Sequence, residues 1–260
     1  MTFNIEWRSN IGYGDFITGL GYAHSATLKY QRPVHINFHW PHAKDLKQRD
    51  DEPETLYERF NHILDYMKPV DNLTISHTWD SIPEWRFINE LEEFNPLHGL
   101  WYPKQEPPVE KGLVVHWSSR HNLKFPGYHK DPVYDHWPTV VDMIKSLGYN
   151  VIEVTYRTPI AEVMDLMYRC EFAVGYEGMI HQLFKFLWKP TIIASQRYDL
   201  TRLLAIQATI VSKPEQLLKG DILGLVNNSK QRIQRVLVDH EKYIKDVQDP
   251  TQHKFYNKPI

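Results

Sequence analysis

The sequence is short of cysteine, of long hydrophobic runs and of excess charge, and each shortage excludes a class of protein. Cys170 is the single cysteine among 260 residues, which excludes an internal disulfide framework and a multi-cysteine zinc site. No run of about 18 apolar residues occurs, and the N-terminus lacks the basic and apolar regions of a signal peptide, so we expect a soluble cytoplasmic protein without a membrane span. The net charge of −2 excludes the strongly basic composition of proteins that coat nucleic acid, but it is compatible with a local basic groove.

Signatures of several common enzyme classes are also missing. There is no GxSxG elbow, Walker A loop, HExxH motif or kinase signature. Gly12 and Gly14 form only part of the GxGxxG dinucleotide fingerprint, which gives little support to a nicotinamide cofactor. His35, His39 and His42 are close in sequence but have no cysteine or acidic partner at metal-site spacing, so no metal is expected.

The first half of the chain alternates segments typical of strands with segments typical of helices. Alternation of apolar and polar residues predicts strands, and apolar spacing near 3.6 residues predicts helices. The predicted order is strand, helix, strand, helix, strand, over residues 3–8, 15–29, 34–40, 54–67 and 73–79. This order is typical of a parallel sheet covered by helices.

A proline-rich stretch over residues 102–112 separates this half from a second one with the same alternation. Its charges and missing apolar periodicity are typical of a linker. Strands are predicted next at 113–117, 150–155, 172–175 and 191–194, and helices at 135–147, 160–170 and 178–188. We therefore predict an α/β protein with two doubly wound lobes, residues 1–104 and 112–226, around an interlobe cleft. Residues 227–260 are expected to form a long C-terminal helix and a tail that pack near the lobe junction.

The turn after the first strand carries a candidate catalytic group. Gly12 and Gly14 precede Asp15 where a strand leads into a helix, and open α/β sheets bind ligands at the carboxyl ends of their strands. Glycine allows close approach of a ligand to the backbone, and a helix N-terminus favours an ionised aspartate. The alternative is that Asp15 is an ordinary helix cap.

A second turn of this kind follows the predicted strand at 172–175. Glu177 and Gly178 lie in the turn, and His181 lies near the start of the next helix, whose first N–H groups suit a phosphate. The alternative is structural: Glu177 interacts with the helix dipole, and His181 is a half-buried histidine whose hydrogen bonds are made.

The loop after the strand at 113–117 is rich in hydroxyl and basic groups. Ser118, Ser119, Arg120 and Lys124 are suited to neutralising a departing diphosphate, a role that a divalent metal otherwise fills. The alternatives are a basic surface loop and a contact with a nucleic-acid backbone.

Together these stretches resemble the GT-B glycosyltransferases, especially the bacterial heptosyltransferase-like group. The resemblance rests on the sequence GYGD at 12–15, which matches a G-x-G-D turn, and on YEGMIH at 176–181, followed by a Lys-Pro pair at 189–190. The second match departs from the family pattern D-[ST]-G-x-x-H. Tyr176 occupies the place of the acid, and Glu177 that of the small hydroxyl residue.

The resemblance implies two Rossmann-like lobes of the GT-B fold and metal-independent, inverting transfer of a sugar from a nucleotide sugar, expected to be a UDP-sugar, without another cofactor. Asp15 would be the catalytic base. The implied donor-binding residues are Gly12, Gly14, Ser118, Ser119, Arg120, Lys124, Glu177, Gly178 and His181.

The chain also resembles small bacteriophage enzymes that glycosylate 5-hydroxymethylcytosine in double-stranded DNA and are thought to add arabinose. This makes modified DNA a candidate acceptor and the host cytoplasm the expected location. Three alternatives stay open: a sugar-nucleotide epimerase, a transferase acting on a glycan or lipid, and a noncatalytic nucleotide- or nucleic-acid-binding module. The basic residues expected near DNA in the first lobe are Lys29, Arg32, Lys44, Lys47 and Arg49.

Overall fold

The chain divides into two compact units. The computed structural model describes residues 2–8, 13–40, 43–47, 52–67, 69–79, 108–117, 136–176, 178–195, 207–211, 215–218 and 221–248. The first unit comprises the described residues within Met1–Ala43, Pro69–Trp101 and Gln234–Ile260. The second comprises those within Lys44–Lys68 and Tyr102–Ile233.

The first unit contains a parallel sheet and a long helix packed on it. Strands β1 (Phe3–Arg8), β2 (Val34–Trp40) and β3 (Leu73–Trp79) pair in the order β1-β2-β3, and α1 (Tyr13–Tyr30) connects the first two. The three strands have the bounds predicted from the sequence. Their order runs in one direction, so the described strands of this unit contain no point where the order reverses.

One face of this sheet forms an apolar core with α1. Every second residue of β2 is buried, which is the outcome that its alternating sequence predicts. Gly19 permits the close packing of α1, because a Cβ atom there would lie 2.6 Å from Cε1 of Phe38. The buried residues of this core include Ile5, Trp7, Phe16, Ile17, Leu20, Val34, Ile36, Phe38 and Trp40.

His77 lies on the same apolar face, among aromatic rings. Its ring centroid is 5.7 Å from that of Phe38 and 6.0 Å from that of Trp40, and Trp40 Nε1 donates a hydrogen bond to His77 Nδ1 at 2.9 Å. The proton of the neutral ring is therefore on Nε2. Burial lowers the pKa of His77 to about 4, so the residue is neutral at physiological pH.

The second unit contains a doubly wound parallel sheet. Its strands are β4 (Leu113–Trp117), β5 (Asn150–Glu153), β6 (Phe172–Tyr176), β7 (Thr191–Ala194) and β8 (Thr209–Val211). They pair in the order β5-β4-β6-β7-β8, which reverses between β4 and β6. The mixed α/β class with parallel sheets is confirmed. The short strand β8 was not predicted.

Three helices of the second half have bounds close to those predicted, and they are α3 (Trp137–Ser146), α4 (Ile160–Arg169) and α5 (Met179–Leu187). The short α6 (Glu215–Leu218) was not predicted, and the long α7 (Ile222–Gln248) begins before residue 227, where the sequence pattern placed its start. From Gln234 onward, the residues of α7 group with the first unit. No helix within the described ranges is both long and apolar enough to cross a membrane.

Helix α2 (Leu56–Asp65) belongs to the second unit, whereas the sequence pattern placed it in the lobe of residues 1–104. Glu54 accepts a hydrogen bond from the backbone N–H of Ile160 at 2.8 Å, and the Tyr66 hydroxyl donates one to the carbonyl of Ala161 at 3.3 Å. These contacts join the segment to the start of α4. The sequence does not reveal them, because the partners are about a hundred residues apart.

A buried ion cluster strengthens this attachment. Arg59 is 3.8 Å from Glu52 and 3.4 Å from Glu54, and it donates to the carbonyl of Tyr156 at 3.0 Å. Both Arg59 and Glu52 are only 3% exposed. A charge buried to this extent requires its partner, because an unpaired ion in the interior is strongly destabilising.

We predict that Arg59→Met lowers the free energy of unfolding by about 3–5 kcal/mol, because it leaves Glu52 buried without its counter-ion. Urea unfolding followed by circular dichroism measures the change. The matched control is Arg169→Met, which removes a pair with Asp165 and Glu110 on the surface and should change the free energy of unfolding far less, because solvent screens exposed ion pairs. Equal effects of the two substitutions would contradict a structural role for the buried cluster.

We predict that His77 makes the protein less stable as the pH falls from 6.5 to about 4. The unfolded chain binds a proton at His77 more readily than the folded chain in this range, so the stability that is present above pH 6.5 is lost on acidification. His77→Gln keeps an acceptor for Trp40 and removes the titration. Its unfolding midpoint should fall less steeply over this range than that of the unmodified protein, and an identical slope would exclude His77 as the cause.

Candidate functional site

The carboxyl ends of β4 and β6 form the candidate site of the second unit. Ligands of open α/β sheets bind outside the carboxyl ends of the strands where the strand order reverses, and the order reverses between these two strands. β4 ends at Trp117 and β6 ends at Tyr176, directly before the loop and the turn that the sequence indicated.

The indole of Trp117 fixes these two strand ends against each other. Its Nε1 donates a hydrogen bond to the carbonyl of Tyr176 at 2.5 Å, and its ring stacks on Phe184 of α5 with centroids 5.5 Å apart. The ring covers Gly175 so closely that a Cβ atom there would lie 2.2 Å from Cδ2 of Trp117. Glycine is therefore required at residue 175 for steric reasons.

The N-terminus of α5 lies at this edge, and His181 forms a hydrogen bond to it. The backbone N–H of Gly178 donates to His181 Nδ1 at 2.6 Å, and His181 is 4% exposed. His181 thus satisfies one N–H group at the start of the helix, as a capping residue does. Its burial and this hydrogen bond agree with the structural alternative, and a contact with the donor stays a prediction. Gly178 is exposed and extended in backbone conformation.

His116 is a buried polar residue beside the site that the sequence did not single out. Its Nδ1 donates to the carbonyl of Val174 on β6 at 3.0 Å, and its ring centroid is 5.0 Å from that of Trp137 on α3. Burial lowers the pKa of His116 below its ordinary value, against the opposing effect of the hydrogen bond to Val174. His116 is therefore a neutral residue that joins β4 to β6. Its position near the end of a predicted strand was the one feature of the sequence that could have indicated a place beside the site.

The candidate turn of the first unit is described only in part. α1 begins at Tyr13, so Gly14 and Asp15 lie in its first turn, where the helix dipole favours a negative charge. The carbonyl of Gly14 accepts a hydrogen bond from the Thr18 hydroxyl at 2.8 Å. The side chain of Asp15 lies outside the described part of the structure. So do the remaining predicted site residues Gly12, Ser118, Ser119, Arg120, Lys124 and Glu177.

Two of the three clustered histidines have partners that the sequence did not reveal. His39 Nε2 lies 2.5 Å from Glu6 Oε2 on the neighbouring strand, and His35 contacts Ser76 and Thr74 on β3. Glu6 is an acidic partner, in contrast to the expectation from spacing alone. Within the described ranges, no group of three or more His, Cys, Asp or Glu residues is placed to hold a metal ion. His42 lies outside those ranges.

The described basic residues expected near DNA are divided between the two units. Lys29 lies fourteen residues along α1 from Asp15, about 21 Å at the usual rise of about 1.5 Å per residue. The guanidinium of Arg32 stacks over the rings of Phe3 and Tyr30 at 5.1 and 5.0 Å. Exposed Lys44 and Lys47 belong to the second unit, which corrects their assignment to the first lobe, and Arg49 lies outside the described residues.

No protein-family model matches the sequence, and no curated protein matches it. Among solved structures, a similar chain is that of the dodecameric iron-containing heptosyltransferase TibC in complex with ADP-D-β-D-heptose. The match covers 92% of this chain and 78% of that chain, with 12% identity and a TM-score of 0.43. A TM-score this low does not establish a common fold.

We predict that Gly175→Ala destabilises the second unit by about 1–3 kcal/mol or more, because the added Cβ overlaps the Trp117 ring and lies 2.6 Å from its carbonyl oxygen. The matched control is Gly178→Ala, where a Cβ atom meets nothing within 4 Å. The urea midpoints of both variants and the unmodified protein measure the effect. A Gly175→Ala midpoint no lower than that of Gly178→Ala would disprove the steric requirement.

Proposed function

We propose that the protein is a glycosyltransferase that moves a sugar from a nucleoside-diphosphate donor to an acceptor hydroxyl. One observation carries the proposal: a doubly wound sheet reverses its strand order between β4 and β6, and α5 begins at the same edge. This edge is where such sheets hold nucleotides, and free N–H groups of a helix N-terminus favour a diphosphate. The two units are then the lobes of a GT-B enzyme, with the donor held by the second.

In this proposal the donor's leaving group is stabilised from the second unit. Gly178 permits close approach of the diphosphate. His181 occupies the N–H group of Gly178, so the N–H groups of Met179 and Ile180 are the ones that donate to the diphosphate. Glu177 binds ribose hydroxyls. The loop after β4 stabilises the charge of the diphosphate without a metal ion. Its hydroxyl and basic groups come from Ser118, Ser119, Arg120 and Lys124.

Asp15 is the proposed catalytic base. A carboxylate in the first turn of α1 is kept ionised by the helix dipole, and only an ionised carboxylate accepts the proton of an attacking hydroxyl. Attack of the hydroxyl oxygen on the anomeric carbon breaks the bond to the diphosphate oxygen, which leaves with the electron pair. A single displacement of this kind inverts the anomeric configuration.

For the substrates, we propose a UDP-sugar as donor and 5-hydroxymethylcytosine in double-stranded DNA as acceptor, with arabinose or a hexose transferred. The support for this acceptor is the sequence resemblance to phage enzymes, and the described basic residues add none. Assays should therefore pair UDP-, ADP- and GDP-sugars with modified duplex DNA, with glycans and lipids, and with no acceptor. Conversion of a donor to its epimer without an acceptor would identify an epimerase.

We predict that Asp15→Asn lowers kcat/KM for sugar transfer by about 10²–10⁴-fold, because the amide cannot take the proton of the acceptor hydroxyl. Transfer is measured by digestion of the acceptor and mass spectrometry of the products, with and without EDTA. Asp71→Asn, which changes an exposed aspartate in the turn before β3, is the matched control and should retain full activity.

Donor affinity separates this catalytic role from a folding defect. Calorimetric binding of the nucleoside diphosphate should be the same in Asp15→Asn as in the unmodified protein, because the second unit holds the donor. Full transfer activity of Asp15→Asn would remove Asp15 as the base. Absence of transfer to every acceptor, with nucleotide binding intact, would instead favour a noncatalytic binding module.

A further inference from the structure

The face of the first sheet opposite α1 is lined by polar side chains. Parallel strands are usually apolar on both faces, because helices cover both. Here every second residue of the three strands is polar, and these residues alternate with those of the apolar core. The residues of this polar face with described side chains are Asn4, Glu6, His35, Asn37, His39, Thr74, Ser76 and Thr78.

Hydrogen bonds connect the middle of the polar face across all three strands, and they run in one direction. The Ser76 hydroxyl donates to Asn37 Oδ1 at 2.9 Å, so its oxygen accepts from His35 Nε2 at 3.0 Å. Asn37 Nδ2 in turn donates to Glu6 Oε2 at 2.9 Å. The order of donors therefore leads from His35 through Ser76 and Asn37 to the Glu6 carboxylate. A connected network of this kind holds its members in fixed orientations.

Glu6 is the acceptor at which this network ends. Its Oε2 takes hydrogen bonds from both Asn37 and His39, the latter at 2.5 Å. Burial raises the pKa of Glu6, but the hydrogen bonds from His39 and Asn37 outweigh burial and keep it below the ordinary value, so the carboxylate stays ionised. The Glu6 side chain is 42% exposed, and its Oε1 has no hydrogen-bond partner among the described residues. One oriented carboxylate oxygen is therefore accessible.

The composition of the polar face indicates the chemistry of a ligand. Hydroxyl, amide and imidazole groups provide both donors and acceptors, and the described residues of this face include no Trp, Tyr, Phe or aliphatic residue that would favour an apolar molecule. Glu6 is the one carboxylate among them. A small cation would lose much of its hydration on binding here. The attraction of a single, half-exposed carboxylate does not compensate for that loss. A neutral molecule with many hydroxyl groups matches the mixture of donors and acceptors better.

We propose that the polar face is a binding site for a neutral, hydroxyl-rich ligand of the carbohydrate class, with Glu6 Oε1 accepting a hydrogen bond from a ligand hydroxyl. The site lies within the first unit and requires no nucleotide. It goes beyond the proposed transferase activity, because binding can be measured in the absence of any donor. Because the described residues of this face include no Trp, Tyr or Phe to stack on the sugar, binding depends on hydrogen bonds to polar side chains.

The test is saturation-transfer NMR of the full chain with myo-inositol and a set of methyl glycosides, without nucleotide. Saturable binding is expected, and cyclohexanol, which keeps the ring but has a single hydroxyl, should not bind. Glu6→Gln should weaken binding by about tenfold or more, because a hydrogen bond to a charged acceptor is replaced by one to a neutral amide. Glu241→Gln, at an exposed glutamate on α7, is the matched control and should bind as the unmodified protein does.

A second variant keeps the test independent of the folding of Glu6→Gln. Thr74→Val keeps the shape of an exposed side chain and removes its hydroxyl from the polar face, so it should also weaken binding. Circular dichroism and thermal unfolding verify that each variant is folded. The proposal is overturned if no sugar or inositol binds the unmodified protein, if both variants bind as tightly as the control, or if n-butylammonium binds at Glu6 and the polyols do not.

Discussion

The contact between Trp117 and Gly175 is the constraint on which the candidate site of the second unit depends. The indole lies where a side chain on residue 175 would be, stacks on α5 and hydrogen-bonds the carbonyl of Tyr176. It therefore fixes the ends of β4 and β6 and the helix that follows β6 in one arrangement. Open sheets bind ligands where the strand order reverses, and this contact fixes the positions of the two strand ends at that point.

Most elements could be predicted from the sequence, because their signals are local. β2 shows this best, since the alternation of its seven residues gives both the strand bounds and the division into an apolar and a polar face. β8 has three residues, too few for a period to be recognised. The attachment of α2 to the second unit was missed because Arg59 and Glu52 resemble surface charges, and their burial follows from contacts distant in sequence.

The site residues were predicted less completely, for a related reason. A histidine three residues after a glycine indicated a ligand contact for His181, but its Nδ1 caps the Gly178 N–H, a role decided by side-chain geometry. Glu6 was not recognised as the partner of His39, because the two meet through strand pairing across 33 residues of sequence. The hydrogen bond from His116 to the carbonyl of Val174 likewise could not be predicted, because it depends on the pairing of β4 with β6.

The proposed transferase activity requires that the second unit bind a nucleoside diphosphate at the carboxyl edge of its sheet. Hydrogen–deuterium exchange of the full chain, with and without UDP, ADP and GDP, tests it most directly. We expect one of these nucleotides to slow exchange at the end of β4 and in the first turn of α5, and to leave exchange in the strands of the first sheet unchanged. Protection confined to the first unit, or no protection by any of the three, would contradict it.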